Sequence, residues 1–312
     1  MAKSNVGAAF SGQTSAEILK AIIHAESEGV PAVWLTTGAG ADAMIVFASA
    51  AAVTQRVRMG TAIVPTFPRH PVVVAQQAAD IAQIAPGRFT LGVGPSHAPA
   101  MEPRLGIPYV RPLEHVREFV TITKGLLRGE QVDFEGSRYK VHAKLPYGAD
   151  VPVITSALRA ASFELAGEIA DGAVTWLCPA QYIRNVALAA MDRGAAKAGR
   201  KRPRLVAHAF LALTTEAAAL ERGVQDSLSH YPKLHNYQEM FVAAGLPEAR
   251  EAKWTARMVD AAVIHGDDAS CRKKLDEFLA VSGADEIILS VMPIGANRLE
   301  SVHRGLRWIG AL

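Results

Sequence analysis

The chain has 312 residues, of which 50% are hydrophobic and 20% charged, with a formal net charge of +3. That composition describes a globular protein with ample core material and excludes the disordered and collagen-like classes. No apolar run reaches the roughly 18 residues that a membrane span needs; the longest, Ala43 to Val53, is interrupted by Ser49. Near the start, the apolar stretch Val6 to Phe10 is too short for the core of a secretory signal. A soluble, cytoplasmic protein without membrane contact is therefore expected. The two cysteines, Cys178 and Cys271, lie far apart and outside any CxxC context, so neither a disulfide framework nor a metal site is expected. The basic cluster Lys197, Arg200, Lys201, Arg202 and Arg204 matches a solvated helix C-terminus, where cations complement the dipole. With no recognition motif or interleaved aromatics, nucleic-acid binding is not expected.

Strand and helix patterns alternate along the chain. The first strand is predicted at Asn5–Ala9, followed by a helix over Ser15–Glu28 with Ile18, Ile22 and Ala25 on one face. The second strand, Ala32–Leu35, precedes a helix at Asp42–Thr54 that opens on a good N-cap. The third, Arg58–Val64, leads to a helix at His70–Gln83 with Pro71 in its first turn, where the missing N–H costs nothing. Phe89–Gly94 is the fourth strand, and Pro112 opens the helix that runs to Leu127. Gln131–Val141 then reads as a hairpin turning at Glu135-Gly136-Ser137. Strands at Pro152–Ser156 and Ala173–Trp176 alternate with helices at Arg159–Ile169 and Gln181–Ala198. After the seventh strand, Arg204–Leu213, an excursion from His230 to Gly266 carries aromatics and a predicted helix from Glu248 to Ala262. A helix at Asp268–Val281, the eighth strand Glu286–Val291 and a last helix, Asn297–Ile309, close the chain. Eight strands alternating with helices predict an α/β fold, a (β/α)8 TIM barrel in one domain over residues 1–312, with insertions after strands 4 and 7.

Chemistry in such a barrel sits at the C-terminal ends of the strands. Here those ends are Ala9-Phe10-Ser11, Thr36-Thr37-Gly38, Ile63-Val64-Pro65-Thr66, Gly94-Pro95-Ser96-His97, Thr155-Ser156-Ala157, Trp176-Leu177-Cys178 and Val291-Met292-Pro293. They hold no carboxylate, whereas barrel aldolases, enolases and metal hydrolases place acids, lysines or metal ligands there. Small residues and hydroxyls suit a flat, bulky ring system held by backbone hydrogen bonds.

Those residues resemble the luciferase-like monooxygenase superfamily of flavin- and deazaflavin-dependent barrels. The densest stretch is Arg56 to Gly94, RVRMGTAIVPTFPRHPVVVAQQAADIAQIAPGRFTLGVG; a second is Leu165 to Gly172, and a third is Ala25-Glu26-Ser27-Glu28-Gly29. The compact second loop, Thr36 to Ala41, and the Gly94-Pro95-Ser96-His97 strand end are most similar to the branch that uses coenzyme F-420, an 8-hydroxy-5-deazaflavin. The resemblance thus implies an F-420-dependent oxidoreductase passing a hydride to or from a small organic substrate with an activated C=C, C=N or C=O. The alternatives are an FMN-dependent monooxygenase fed by a partner flavin reductase and a non-catalytic flavin- or deazaflavin-binding barrel. Homodimers are common in the superfamily, so a homodimer is expected.

Residue by residue, the resemblance implies a bulge with a non-prolyl cis peptide near Ile63-Val64, with Val64-Pro65 as the competing bond. Gly94 and Ser96 flank the cofactor's pyrimidine edge or ribityl chain. Ser156 and Ala157 offer backbone N–H groups to its phosphate at a helix start. Gly172 and Ala173 let its tail pass closely, and Arg159 and Arg184 are candidates to meet the tail's carboxylates. Thr36 and Trp176 complete the expected cofactor contacts, Trp176 as a pocket wall. His97 is the candidate proton donor, because histidine titrates near neutral pH, and Thr37 is a candidate hydrogen-bond donor to the ring edge or a substrate carbonyl. His70, at a helix start, is expected to cap. The branch's sugar-phosphate dehydrogenases carry a His at the second strand end and a Glu at the fourth; here Thr36-Thr37 and Gly94-Pro95-Ser96 stand there, which argues against sugar-phosphate oxidation. Cys178, with no base beside it, is not expected to be a nucleophile.

Overall fold

Hydrophobic alternation along each strand sorts side chains into two separate cores. On the strands' outer faces, residues such as Val33, Leu35, Leu91 and Leu211 pack under the helices. On their inner faces Ala9, Ala32, Trp34, Ala62, Ile154, Val174, Val206 and Ile288 fill a second, smaller cluster. Two concentric cores are the signature of a closed sheet wrapped by helices. The computed structural model describes residues 5–11, 14–37 and 40–312. Gly38, at the expected second strand end, lies outside the described residues.

In chain order the elements are β1 (Val6–Phe10), α1 (Ser15–Ser27), β2 (Ala32–Leu35), α2 (Ala43–Val53), β3 (Arg58–Thr61), β4 (Val64–Pro65) and α3 (Pro71–Ile84). Next come β5 (Phe89–Gly94), α4 (Ala98–Leu105), α5 (Pro112–Leu127), the hairpin β6 (Val132–Glu135) and β7 (Lys140–Ala143), β8 (Val153–Ser156) and α6 (Ala160–Ile169). Then follow β9 (Gly172–Val174), α7 (Ala180–Tyr182), a π-helical stretch over Ile183–Leu188, α8 (Ala189–Lys197) and β10 (Arg204–Leu213). The chain continues through α9 (Ala217–Leu228), α10 (His235–Ala243), α11 (Ala256–Ala262), β11 (Val263–Gly266), α12 (Asp268–Ser282), β12 (Glu286–Val291) and α13 (Arg298–Gly310).

Parallel pairing runs β12-β1-β2-β3-β5-β8-β9, and β10 closes the ring by pairing with both β9 and β12. The result is the predicted eight-stranded (β/α)8 barrel. Its ten-residue β10 serves three partners: Arg204–Val206 face β9, Val206–Leu211 face β12, and Phe210–Leu213 face β11. The third strand is shorter than the predicted Arg58–Val64. It breaks after Thr61 and resumes as β4, with the cis peptide bond at Ala62–Ile63. That corrects both expected positions, Ile63-Val64 and Val64-Pro65. At the break, the Thr61 hydroxyl exchanges hydrogen bonds with the N–H and C=O of Gly92, both 2.7 Å. A Cβ on Gly92 would lie 1.9 Å from the Thr61 carbonyl oxygen, so only glycine permits that approach.

The excursion after β10 departs from its prediction. The single helix expected over Glu248–Ala262 is a 3-10 turn, Pro247–Glu251, and a separate α11, divided at Ala252, whose φ is 56°. Val263–Gly266 is a strand that the pattern did not reveal, because it pairs only with the far end of β10. The α4 helix after the fourth barrel strand was likewise unpredicted; Pro99 and Pro103 lie within it and obscure the helical pattern.

Several residues in the resembling motifs turn out to brace this frame. The Glu26 carboxylate accepts the backbone N–H groups of Gln55, Arg56 and Val57 at 2.9, 2.6 and 2.9 Å. Arg88 donates to Ala51, Thr54 and Val57 carbonyls at the end of α2. Asp171 accepts from the Val153 N–H and from Lys124 Nζ. His70 caps α3 by accepting from the Val72 N–H at 3.3 Å, as expected. Burial pushes the Glu26 pKa up, but the three amides and Arg56 outweigh it and hold the carboxyl below its ordinary 4.5. A depressed carboxylate contributes stability above its unfolded pKa, and that contribution is lost as pH falls through the folded value. Replacing Glu26 by Gln is expected to cost about 1.5–3 kcal/mol, as for other hydrogen bonds to a charged group. Urea unfolding at pH 7 measures the difference, which narrows as pH falls through the Glu26 titration.

Candidate active site at the barrel mouth

The two ends of the barrel differ in chemistry. At the N-terminal end Glu286, buried, accepts from Trp34 Nε1 at 3.2 Å and pairs with Arg58 at 3.4 Å and Arg204 at 3.7 Å. This ion-paired plug, with the Trp34 ring above it, fills that end. Gly60 makes room, since a Cβ there would lie 2.4 Å from the indole. At the C-terminal end the strands open into a cavity of about 820 Å³, within the range of ligand sites.

One half of the cavity is lined by the turn into α6, including Ser156, Ala157, Arg159 and Ser162. Ser162 Oγ accepts from the Leu158 and Arg159 amides, both at 3.1 Å, and donates to the Arg159 carbonyl, fixing this turn. The first-turn amides at Ala160 and Ala161 have no intrahelical acceptor and point the positive end of the helix outward. Ala157 departs from expectation, because its N–H already donates to the Val174 carbonyl at 3.0 Å. The cavity-facing donors at this end are therefore the Ser156 hydroxyl, the α6 first turn and the exposed Arg159, which forms no ion pair among the described residues. That set suits an anionic group.

The floor is formed by Thr36, Thr37, Ala62, Ile63 and Ser96 among others. Thr37 accepts the Ala43 N–H at 3.2 Å, which leaves its hydroxyl proton free to donate. Ser96 sits at φ 61°, a left-handed conformation unusual for a side-chain-bearing residue, and its carbonyl accepts from the Tyr109 hydroxyl at 3.0 Å. Gly94 lies behind the lining. A Cβ there would stand 2.0 Å from Ser156 Oγ and 3.2 Å from the Ile63 side chain, so glycine lets both of them face the cavity together.

The other half is aromatic. Trp176 stacks on His208 with ring centroids 3.5 Å apart at 6°, and its Nε1 donates to the Tyr231 hydroxyl at 2.7 Å. Phe210 stands edge-on to both rings, and Tyr231 packs edge-on against Tyr237. His208 Nε2 meets Ser290 Oγ at 2.9 Å; burial drives its pKa down to about 3, so the ring is neutral. His97 lies 5.9 Å from the Tyr237 ring, centroid to centroid. Burial, and secondarily His230, hold the His97 pKa below 6.5.

Of the residues singled out from sequence, Thr36, Thr37, Ile63, Ser96, His97, Ser156, Ala157, Arg159 and Trp176 line this cavity. Four others do not. Val64 is fully buried in the β4–β5 pairing, and Gly94 lies behind Ile63 and Ser156. Gly172 and Ala173 belong to a β9 that starts one residue earlier and ends two residues earlier than predicted. Gly172 faces Arg204 at the plugged end, and Ala173 is fully buried. Arg184 is remote from the site, with its guanidinium bound to the Ala280 and Val281 carbonyls at the end of α12. Cys178 is buried and its thiol pushed up to about 12, which removes it as a nucleophile. Sequence reasoning missed Tyr109, Phe210, His230, Tyr231 and Tyr237 as cavity residues. The last three come from the aromatic-bearing excursion after the seventh strand, whose composition was the available signal.

The fold and its mouth define a (β/α)8 barrel protein with a concave site built from strand-end residues. The chain belongs to the luciferase-like monooxygenase family, whose model matches residues 2–286. It is 27% identical to a 5,10-methylenetetrahydromethanopterin reductase of Methanolobus tindarius over 89% of this chain and 90% of that protein. It is 38% identical to an F-420-dependent glucose-6-phosphate dehydrogenase of Microbacterium testaceum, over 48% of this chain and 46% of that one. Its fold matches the structure of the coenzyme F-420-dependent tetrahydromethanopterin reductase from Methanopyrus kandleri with a TM-score of 0.78 and 22% identity, covering 99% and 98% of the two chains. No described helix is long and apolar enough to cross a membrane.

The electrostatics can be read directly by histidine NMR. The His97 ring is expected to titrate below 6.5, and His230→Asn to move its midpoint upward by removing a like charge. His97 titrating at or above 6.5 would contradict the buried placement.

Proposed function

We propose that this chain is an oxidoreductase that uses coenzyme F-420 to transfer a hydride to or from a small organic substrate with an activated C=C, C=N or C=O. The observation that carries the reading is the division of one cavity into an anion-suited half at α6 and an aromatic half at β9 and β10. A cofactor with an anionic tail would seat that tail at the α6 half and its ring on the floor beside it, leaving the aromatic half for a substrate, and the named relatives support the deazaflavin over FMN. The residues fit the group. Ser156, Arg159 and the α6 first turn would hold the phosphate, while Thr36, Ile63 and Ser96 would border the ring system. Val64 and Gly94 would act from behind the lining, by packing, whereas Gly172 and Ala173 stand toward the plugged end and take no part in holding the cofactor. When bound, F-420 supplies a carbon-centred two-electron hydride carrier that reacts poorly with oxygen.

The protein's own contribution is placement, exclusion of water and proton handling. Thr37 donates its hydroxyl proton to a ring edge or substrate carbonyl. His97 is neutral near pH 7 because its pKa lies below 6.5. In that state its imidazole accepts the proton released when an alcohol or amine is oxidised, and hydrogen-bonds a carbonyl in the reducing direction. The expectation that His97 acts as an acid is thereby refined: it is charged only at mildly acidic pH. Fourth-strand Pro95-Ser96 and second-strand Thr36-Thr37 leave a sugar phosphate without an acid-base pair there, so sugar-phosphate oxidation is not proposed. A homodimer remains the expected assembly, to be read by sedimentation.

Fluorescence titration of the purified protein with F-420 and, in parallel, FMN tests the cofactor. F-420 is expected to bind at micromolar or tighter Kd and at least tenfold more tightly than FMN. Arg159→Ala is expected to weaken F-420 about tenfold, or ~1.4 kcal/mol. A preference for FMN would sink the deazaflavin reading and turn attention to an oxygenase with a partner reductase. Binding of F-420 without hydride transfer to any substrate panel would favour a non-catalytic binding barrel. In the oxidising direction the rate is expected to rise with pH through the His97 titration below 6.5 and then level. In the reducing direction proton delivery by the ring falls over the same range, and His97→Asn flattens both profiles.

A further inference from the structure

We infer that the aromatic half of the cavity selects an uncharged, flat, conjugated ring bearing a carbonyl or imine, stacked against Trp176, rather than an anionic or cationic metabolite. The inference rests on the reading that the α6 half receives the cofactor, and it names the substrate class for the remainder.

Trp176 is a prepared platform. His208 covers one face of the indole at 3.5 Å, Tyr231 fixes its N–H at 2.7 Å, and Phe210 stands against it at 89°. Three contacts from two elements beside its own leave the ring little freedom to move, yet it still borders the cavity. A rigid aromatic wall that borders the cavity favours offset stacking of a planar partner. The wall continues through Tyr231 and Tyr237, so a bulky saturated group would forfeit this geometry.

Charge decides against ions. Among the described lining residues the ionic side chains are Arg159, at the α6 end, and Asp226, whose carboxylate pairs with Arg298 at 2.8 Å. A phosphate or carboxylate drawn into the aromatic half therefore loses its water without meeting a cation. A cation entering it finds aromatic faces, but the one carboxylate, Asp226, is exposed and turned to its pair with Arg298. Uncompensated burial of either sign is unfavourable. What the half does offer is neutral hydrogen bonding: the imidazoles of His97 and His230 and the amide of Asn236, all lining the same space. These suit one carbonyl oxygen or imine nitrogen on an otherwise apolar ring.

Isothermal calorimetry of the full chain, with and without F-420, tests this with three probes that share one ring size: chromone, chromone-2-carboxylate and N-methylquinolinium. Chromone is expected to bind at least tenfold more tightly than either charged probe at pH 8. Trp176→Ala is expected to weaken chromone at least tenfold, Trp176→Phe to restore most of that loss, and Tyr231→Phe to weaken it a fewfold by releasing the indole N–H. Equal or tighter binding of a charged probe would overturn the inference, as would chromone affinity indifferent to Trp176→Ala in a protein with unchanged circular dichroism. Should Trp176→Ala fail to fold, the Tyr231→Phe result and the charge series decide. Because chromone is also measured without cofactor, failure of F-420 to bind would sink the cofactor reading while leaving the ring selectivity to be judged separately.

Discussion

Closure of the parallel ladder through β10 is the constraint on which the remaining structure hangs. Each strand of a parallel sheet needs a hydrogen-bonding neighbour on both sides, and a ring of eight provides this without an exposed edge. Ten residues of β10 join β9 to β12 and then extend beyond them to hold β11. That extension carries Phe210 to the mouth, one residue pair beyond His208, and so builds the aromatic half of the cavity into the closing strand itself. A shorter closing strand would complete the barrel but not the wall.

Once closed, the barrel has an inside filled by apolar side chains and an end that must be stoppered. Small residues at Ala9, Ala32 and Ala62 admit the single large Trp34, and the buried Glu286 beneath it is matched by two arginines. The other end is left to strand-end residues whose backbones are held by brackets elsewhere. Glu26, Arg88, Asp171 and the Arg69–Asp42 pair each tie loops to helix ends or strand starts. These are the motif residues most visible in the sequence, and they support the site from a distance instead of touching it.

The cavity's polarity follows from the same geometry. The α6 turn presents unsatisfied amides, an exposed arginine and serine hydroxyls, so one half attracts negative charge. In the other half, burial keeps His97 and His208 uncharged and raises the phenols of Tyr109 and Tyr231 to about 12. A compartment of neutral aromatic and imidazole groups is suited to hydride movement between carbon centres, because it places no fixed charge beside them.

Much of this was legible in the primary structure. Alternating apolar patterns located all eight barrel strands, four of them to the residue, because each strand packs on both faces and so must be hydrophobic in a short run. The strand-end rule then brought Thr36, Ile63, Ser96, His97, Ser156 and Trp176 to one mouth. Tertiary structure decided what local pattern cannot encode. Which peptide is cis, Ala62–Ile63, is seen only in the folded backbone, at the break between β3 and β4. That Gly94 serves Ser156 and Ile63 depends on space left by neighbours far apart in sequence. Arg184 went to the end of α12 because that helix packs beside it, and Tyr231 and Tyr237 reached the cavity because the excursion after β10 folds back over the mouth. Sequence by itself determined the barrel, its family and the chemistry-bearing end, since those follow from periodicity and motif order. Only the tertiary structure decided which half of the cavity is charged and which is aromatic, because burial and long-range pairing set each side chain's polarity.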